Sequence, residues 1–155
     1  MELLIDEAKQ YIQQPIQEKK DVFVILCSLN LLNAAIKTKE YKQILNYRDI
    51  KPQVSKLVDF LLINDRHYVD ELYYDSQQHC MYIRCHNIQF SFHNIILTKQ
   101  IKAFADSANN ISIPWDGIRL QLIASELFEL AKGLHKGTIT DKDIAEEFEK
   151  LIKPL

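Results

Sequence analysis

The chain has 155 residues, of which 47% are hydrophobic, and a formal net charge of −2. That is enough apolar material for one real core, and too balanced a charge for a disordered chain or an obligate duplex nucleic-acid binder, whose affinity rests on a basic excess. Three glycines and four prolines leave few tight turns, which suits a helix-rich body, and residues 1–155 read as a single α+β domain.

The cysteines, Cys27, Cys80 and Cys85, are odd in number. No basic start or small-residue cleavage site marks an export signal, so reduced thiols in the cytoplasm are the simplest expectation. The longest apolar run, Val22 to Ile36, is too short for a membrane span and contains Ser28, Asn30 and Asn33, which implies a soluble protein and no membrane partner.

In chain order, Glu2 to Gln14 reads as a helix with Leu4, Ala8, Tyr11 and Ile12 on one face, stopped by Pro15. Asp21 to Lys37 is the most apolar segment and is expected to be the central core helix. Thr38 to Arg48 has Tyr41, Ile44 and Leu45 at helical spacing, and the Lys37–Lys42 stretch reads as a solvated helix face. Asp49 to Pro52 looks like a helix start, with Pro52 near the first turn, and Val54, Leu57, Val58, Leu61 and Leu62 form an apolar stripe to about Ile63.

Beyond a strand region, Thr98 to Ala108 is expected to be a short helix with Ile101, Phe104 and Ala105 inward. Asn109–Asn110 marks a loop, and Ile111 to Trp115 should be extended because the residue before Pro114 avoids helical angles. Asp116 to Lys132 predicts a strong helix carrying Leu120, Ile123, Leu127, Leu130 and Ala131, with Gly133 as its stop. Thr140 and Asp143 resemble a capping box for a last helix that bears Ile144, Phe148, Leu151 and Ile152 and ends at Pro154.

The strand region organises the rest. Two strand-like runs flank His86–Asn87, and a two-residue loop sets Cys85 against Ile88, Arg84 against Gln89, Ile83 against Phe90, Tyr82 against Ser91, Met81 against Phe92 and Cys80 against His93. Alternation then gathers Met81, Ile83, Cys85, Ile88, Phe90 and Phe92 inward, and Cys80, Tyr82, Arg84, Gln89, Ser91 and His93 outward. A preceding strand from Val69 to Tyr74 has an ambiguous register. A four-residue loop, Asp75–Gln78, is preferred because it keeps Leu72 beside Met81 in the core and puts Glu71 and Tyr73 on the polar side. The expected architecture is α+β, with helical N- and C-terminal segments packed on a small central antiparallel β-meander of about three strands, within residues 68–96.

The outward face holds the only chemistry the sequence offers. Arg84, His93, Tyr82, Ser91, Gln89 and Glu71 supply a cation, an imidazole, a carboxylate and hydroxyls. A metal-independent endoribonuclease of toxin type needs that kit: Glu71 or His93 as base and acid at the 2′-hydroxyl and the leaving oxygen, Arg84 on the phosphate, Tyr82 positioning. The plainer reading is a solvated outer sheet face, polar by default. His79, Cys80, Cys85, His86 and His93 cluster in sequence, but only Cys80 and His93 oppose each other, and two ligands make no zinc site. A Cys80–His93 nucleophile pair lacks an orienting carboxylate and an oxyanion hole.

No glycine-rich phosphate loop exists, so no cofactor is expected. Thr140 to Phe148 has the outline of the first helix of a helix-turn-helix, but it is acidic and no recognition helix follows. Trp115, with Ile113 and Pro114, is read as closing the core more than anchoring a partner, and His67 and His135 as isolated, His135 in a loop between Gly133 and Gly137. The favoured function is that of a small cytoplasmic accessory or regulatory protein, of the kind found among mobile-element and phage proteins, that binds another macromolecule. A protein partner is preferred, through Tyr82, Arg84, Gln89, Ser91 and His93, and self-association is equally open; RNA is a partner only under the ribonuclease alternative.

Overall fold

The structure is a computed structural model that describes residues 2–36, 47–75, 77, 80–86, 88–93 and 117–152. The fold is α+β, mostly helical with a small antiparallel sheet. In order come α1 (Glu2–Tyr11), α2 (Lys19–Ile36), α3 (Tyr47–Tyr68), β1 (Glu71–Asp75), β2 (Cys80–Cys85), β3 (Ile88–His93), α4 (Gly117–Lys136) and α5 (Asp141–Ile152). No helix among the described residues is long and apolar enough to cross a membrane. The expected helix over residues 98–108 and the extended segment at 111–115 lie outside the described residues. So does the expected helix over 38–48, except for its last two residues, Tyr47 and Arg48, which belong to α3.

Helix α2 is apolar nearly all round, and it is buried accordingly: Val22 to Cys27, Leu29, Leu31, Leu32, Ala34 and Ala35 all lie in the core, with α1, α3 and α4 packed against it. Ser28 survives there because its hydroxyl donates to the Val24 carbonyl at 2.6 Å. The N-terminus of α2 is closed by Asp21, whose Oδ2 accepts from the backbone N–H of Gln17 (2.9 Å) and of Glu18 (2.8 Å). From α4, Lys132 reaches Glu7 of α1 at 3.0 Å and Glu129 at 3.0 Å, tying those two helices together.

Several expected boundaries move. Helix α1 ends at Tyr11 and Ile12 to Gln14 form turns, while Ile5 is buried at the centre of its inner face. Helix α3 begins at Tyr47, so Pro52 sits inside it, past the first turn. It also runs to Tyr68, beyond the apolar stripe, and Ile63 stands on its outer face, 82% exposed. Gly133 does not stop α4. The stop is Gly137, at φ 81, where Gly137 N–H donates to the Leu134 carbonyl (3.1 Å) and Thr138 N–H to that of Gly133 (2.9 Å), the paired bonds of a Schellman end. Gly133 instead sits under the Ile139 side chain: a Cβ there would lie a tight 3.2 Å from Ile139 Cγ1. At α5, Thr140 N–H donates to Asp143 Oδ2 (2.8 Å) and Asp143 N–H to Thr140 Oγ1 (3.4 Å), so Asp fills the position that Glu or Gln usually takes in a capping box.

The sheet runs β1-β2-β3. β2 and β3 pair Cys85 with Ile88, Arg84 with Gln89, Ile83 with Phe90, Tyr82 with Ser91, Met81 with Phe92 and Cys80 with His93. β1 meets β2 with Leu72 opposite Ile83, Tyr73 opposite Tyr82 and Asp75 opposite Cys80. Leu72 therefore does not face Met81: the register is displaced by two residues from the expected one. A shift of two preserves both faces, so Leu72 is still buried and Glu71 and Tyr73 still stand on the polar side. Leu72, Met81, Ile83, Cys85, Ile88 and Phe90 belong to the same continuous core as the helices, and Phe23 of α2 meets Phe90 edge-on at 6.2 Å.

Candidate functional site

On the polar side of the sheet the pleat arranges residues in rows. The first row is Glu71, Arg84 and Gln89, the second Tyr73, Tyr82 and Ser91, the third Asp75, Cys80 and His93. In the first row Arg84 Nη2 lies 3.3 Å from Glu71 Oε2, with the two side chains 25% and 16% exposed. This is an ion pair and not a hydrogen bond: Glu71 Oε2 and Arg84 Nε are buried with no hydrogen-bond partner among the described residues. In the second row the rings of Tyr73 and Tyr82 stack at 5.8 Å and 27°. Glu71, Arg84 and Tyr82 are thus brought onto adjacent rows.

The side chains of Gln89, Ser91, His93 and Cys80 lie outside what the structure describes, but their backbone positions are given. His93 is four residues along β3 from Gln89, the partner of Arg84. At about 3.3 Å per residue and about 4.8 Å between strands, the Arg84 and His93 backbones are roughly 14 Å apart. The register does not by itself bring that cation and that imidazole together.

A second group of polar residues gathers where sequence reasoning had only scattered ones. At the end of β2, His86 takes the left-handed backbone, φ 52. Its Nδ1 lies 3.4 Å from Asp141 Oδ1 at the start of α5, and its ring meets Phe23 at 4.7 Å. Lys19 Nζ and Asp70 Oδ1 pair at 2.6 Å beside it. Burial, with Lys19 nearby, lowers the His86 pKa, although Asp141 and Asp70 oppose the change. Burial pushes the Cys85 thiol up to about 12, too high for a nucleophile at neutral pH.

His135 is also placed differently from expectation. It lies in the last turn of α4, not in a loop, with Nε2 3.0 Å from Asp21 Oδ1 and its ring 5.5 Å from Tyr11. These partners are invisible in sequence because they come from the far end of the chain. The only readable hints were an Asp at a helix start and a His just ahead of a glycine.

Cys85 faces the core, His86 is engaged with Asp141, His79 lies outside the described residues, and those residues hold no group of three His, Cys, Asp or Glu able to hold a metal ion. Trp115 and the His67 side chain also fall outside them. A cleft of about 270 Å³ opens between the α1–α2 turn and α3, lined by Ile12, Ile16, Ile25, Leu57, Phe60 and Lys56 among others, and no strand residue contributes to it. Compared with family models, curated proteins and solved structures, the chain matches none of them.

Proposed function

We propose that this chain is a small accessory or regulatory protein that works by binding another macromolecule, a protein by preference, through the outer face of its sheet. The observation that carries this reading is the stacked Tyr73–Tyr82 pair standing beside the Glu71–Arg84 ion pair on the side opposite the core. Tyrosine and arginine supply large, rigid contact area and are the residues most used at binding hot spots. Because Glu71 already neutralises Arg84, the face has little net pull on a phosphate backbone, in keeping with the slight acidity of the whole chain.

In this reading a meander of three strands, backed by helices from both ends of one domain, is the platform, and Gln89, Ser91 and His93 extend the contact along β3. Cys27 and Cys85, free and buried, suit a reducing cytoplasm. The test is affinity capture from the native host with the wild-type chain, Tyr82→Ala and Arg84→Ala, all shown folded by circular dichroism. A partner held by the wild type and lost by both variants supports the face. A partner that all three hold equally places the interface elsewhere. Sizing of the purified chain by light scattering separates a second copy from a foreign protein.

One observation favours a second reading. Glu71 and Arg84 put a carboxylate and a cation 3.3 Å apart on a rigid row, as a metal-independent ribonuclease requires. Glu71 would accept the 2′-hydroxyl proton, Arg84 would steady the phosphorane and Tyr82 would position the sugar, while His93, two rows further along the face, would have to reach back toward Arg84 to protonate the leaving oxygen. Cleavage of mixed RNA that resists chelator and disappears in both Arg84→Ala and His93→Ala would establish it. Intact RNA across a broad panel leaves binding alone.

A further inference from the structure

The turn between β2 and β3 rests on a residue that carries three separate structural costs. His86 adopts a left-handed backbone, φ 52, which its Cβ disfavours. Its side chain is only 9% exposed, and its Nε2 is buried without a hydrogen-bond partner among the described residues. Glycine would serve the turn with none of this, and asparagine with a smaller backbone cost. Buried unpaired nitrogens and left-handed non-glycine residues are uncommon, and their coincidence on one titratable side chain points to a role.

We infer that His86 is an acid-sensitive latch: neutral, it holds the β2–β3 turn against Phe23 of α2 and Asp141 of α5, and protonated, it leaves that seat and loosens α5 from the end of the sheet. The groups facing the imidazole decide the sign. Lys19 from α2 repels a second cation more strongly than its 2.6 Å partner Asp70, from the connection between α3 and β1, attracts one. Asp141 attracts a cation, but at 77% exposed its pull is screened by water. The neighbouring Cys85 thiol stays neutral. Against Asp141 stands the cost of charging a ring that is almost fully enclosed. A proton added at Nε2 would also create an N–H donor with no acceptor among the described residues. Protonation is therefore easier once the ring has swung out, and acid favours the open corner.

The first measurement is the imidazole titration by NMR, with the His86 resonance identified by its loss in His86→Asn. The midpoint is expected below the ordinary value of 6.5. Asp141→Asn should move it further down and Lys19→Gln should move it up, which identifies the charges that face the ring. The second is hydrogen exchange, corrected for intrinsic rates, between about pH 7.5 and about pH 5. Protection of the α5 amides should fall relative to those of α2, by up to about 30-fold, the ceiling set by an open-state pKa of about 6.5. His86→Asn should abolish that fall. A midpoint at or above 6.5, α5 protection that tracks α2, or an undiminished fall in His86→Asn overturns the latch. If that variant does not fold, the wild-type midpoint and the acid-dependent fall of α5 protection relative to α2 still decide.

Discussion

Removing the Phe23 ring tests how firmly the sheet is seated on the helices. Phe23 is fully buried on α2, 6.2 Å and 73° from the Phe90 ring of β3, and 4.7 Å from the His86 imidazole. Phe23→Ala deletes the ring and leaves a cavity between a helix and a strand that cannot close without moving one of them. Such truncations cost about 3–5 kcal/mol, of which an edge-to-face contact of this kind accounts for about 0.5–1.5 kcal/mol. Total stability for a domain is about 5–15 kcal/mol, so this is a large share, and at this chain length it lowers the melting temperature by on the order of 10 °C. Urea unfolding followed by circular dichroism reads the loss. Leu122→Ala, at an exposed site on α4, is the control and should stay within about 0.5 kcal/mol of wild type. Coupling to Phe90→Leu in a double-mutant cycle isolates the ring contact. A loss below about 1.5 kcal/mol with an unchanged denaturant slope would mean that α2 does not support the sheet through Phe23.

Other consequences follow from single features. Gly137→Ala should destabilise by about 1 kcal/mol through backbone strain alone, since a methyl group there meets nothing within 4 Å, and Gly137→Asn should recover part of it in the same unfolding assay. Cys27 and Cys85 are buried with raised pKa values, so a thiol reagent should label them only at the rate of unfolding; rapid labelling of either in native buffer would contradict their burial. The pH profile of stability should show a plateau between about 6.5 and about 9. Below it, the lowered His86 pKa means that the unfolded chain binds more protons, so stability falls as pH drops from 6.5 through the folded-state value. Above it, Cys85 loses its proton more readily when unfolded, so stability falls as pH rises from 9.0 toward about 12. A profile rising steadily from pH 5 to pH 4 would refute the acid limb.

Where sequence reasoning placed residues on the right face of the sheet, the information was local. The outward set Glu71, Tyr73, Tyr82 and Arg84 follows from a period of two and needs no tertiary knowledge, and it survived the two-residue displacement of β1 because an even shift keeps both faces. That displacement was beyond sequence, since Leu72 is equally apolar opposite Met81 or Ile83. The glycines show the same limit. Gly133 and Gly137 are equivalent stop signals on paper; the Ile139 side chain lying over Gly133 and the left-handed backbone at Gly137 give them different tasks.

By itself, then, the sequence determined the α+β class, the burial of the Val22–Ala35 helix and the two faces of the β2–β3 pair, because periodicity and apolar content act over neighbouring residues. Tertiary structure alone decided which charges meet. His86 with Asp141, His135 with Asp21, Lys19 with Asp70 and Lys132 with Glu7 join residues whose separation along the chain exceeds any repeat. Such pairs form only where docked helix ends and turns happen to converge, and no local pattern records the angle at which one helix lies on another.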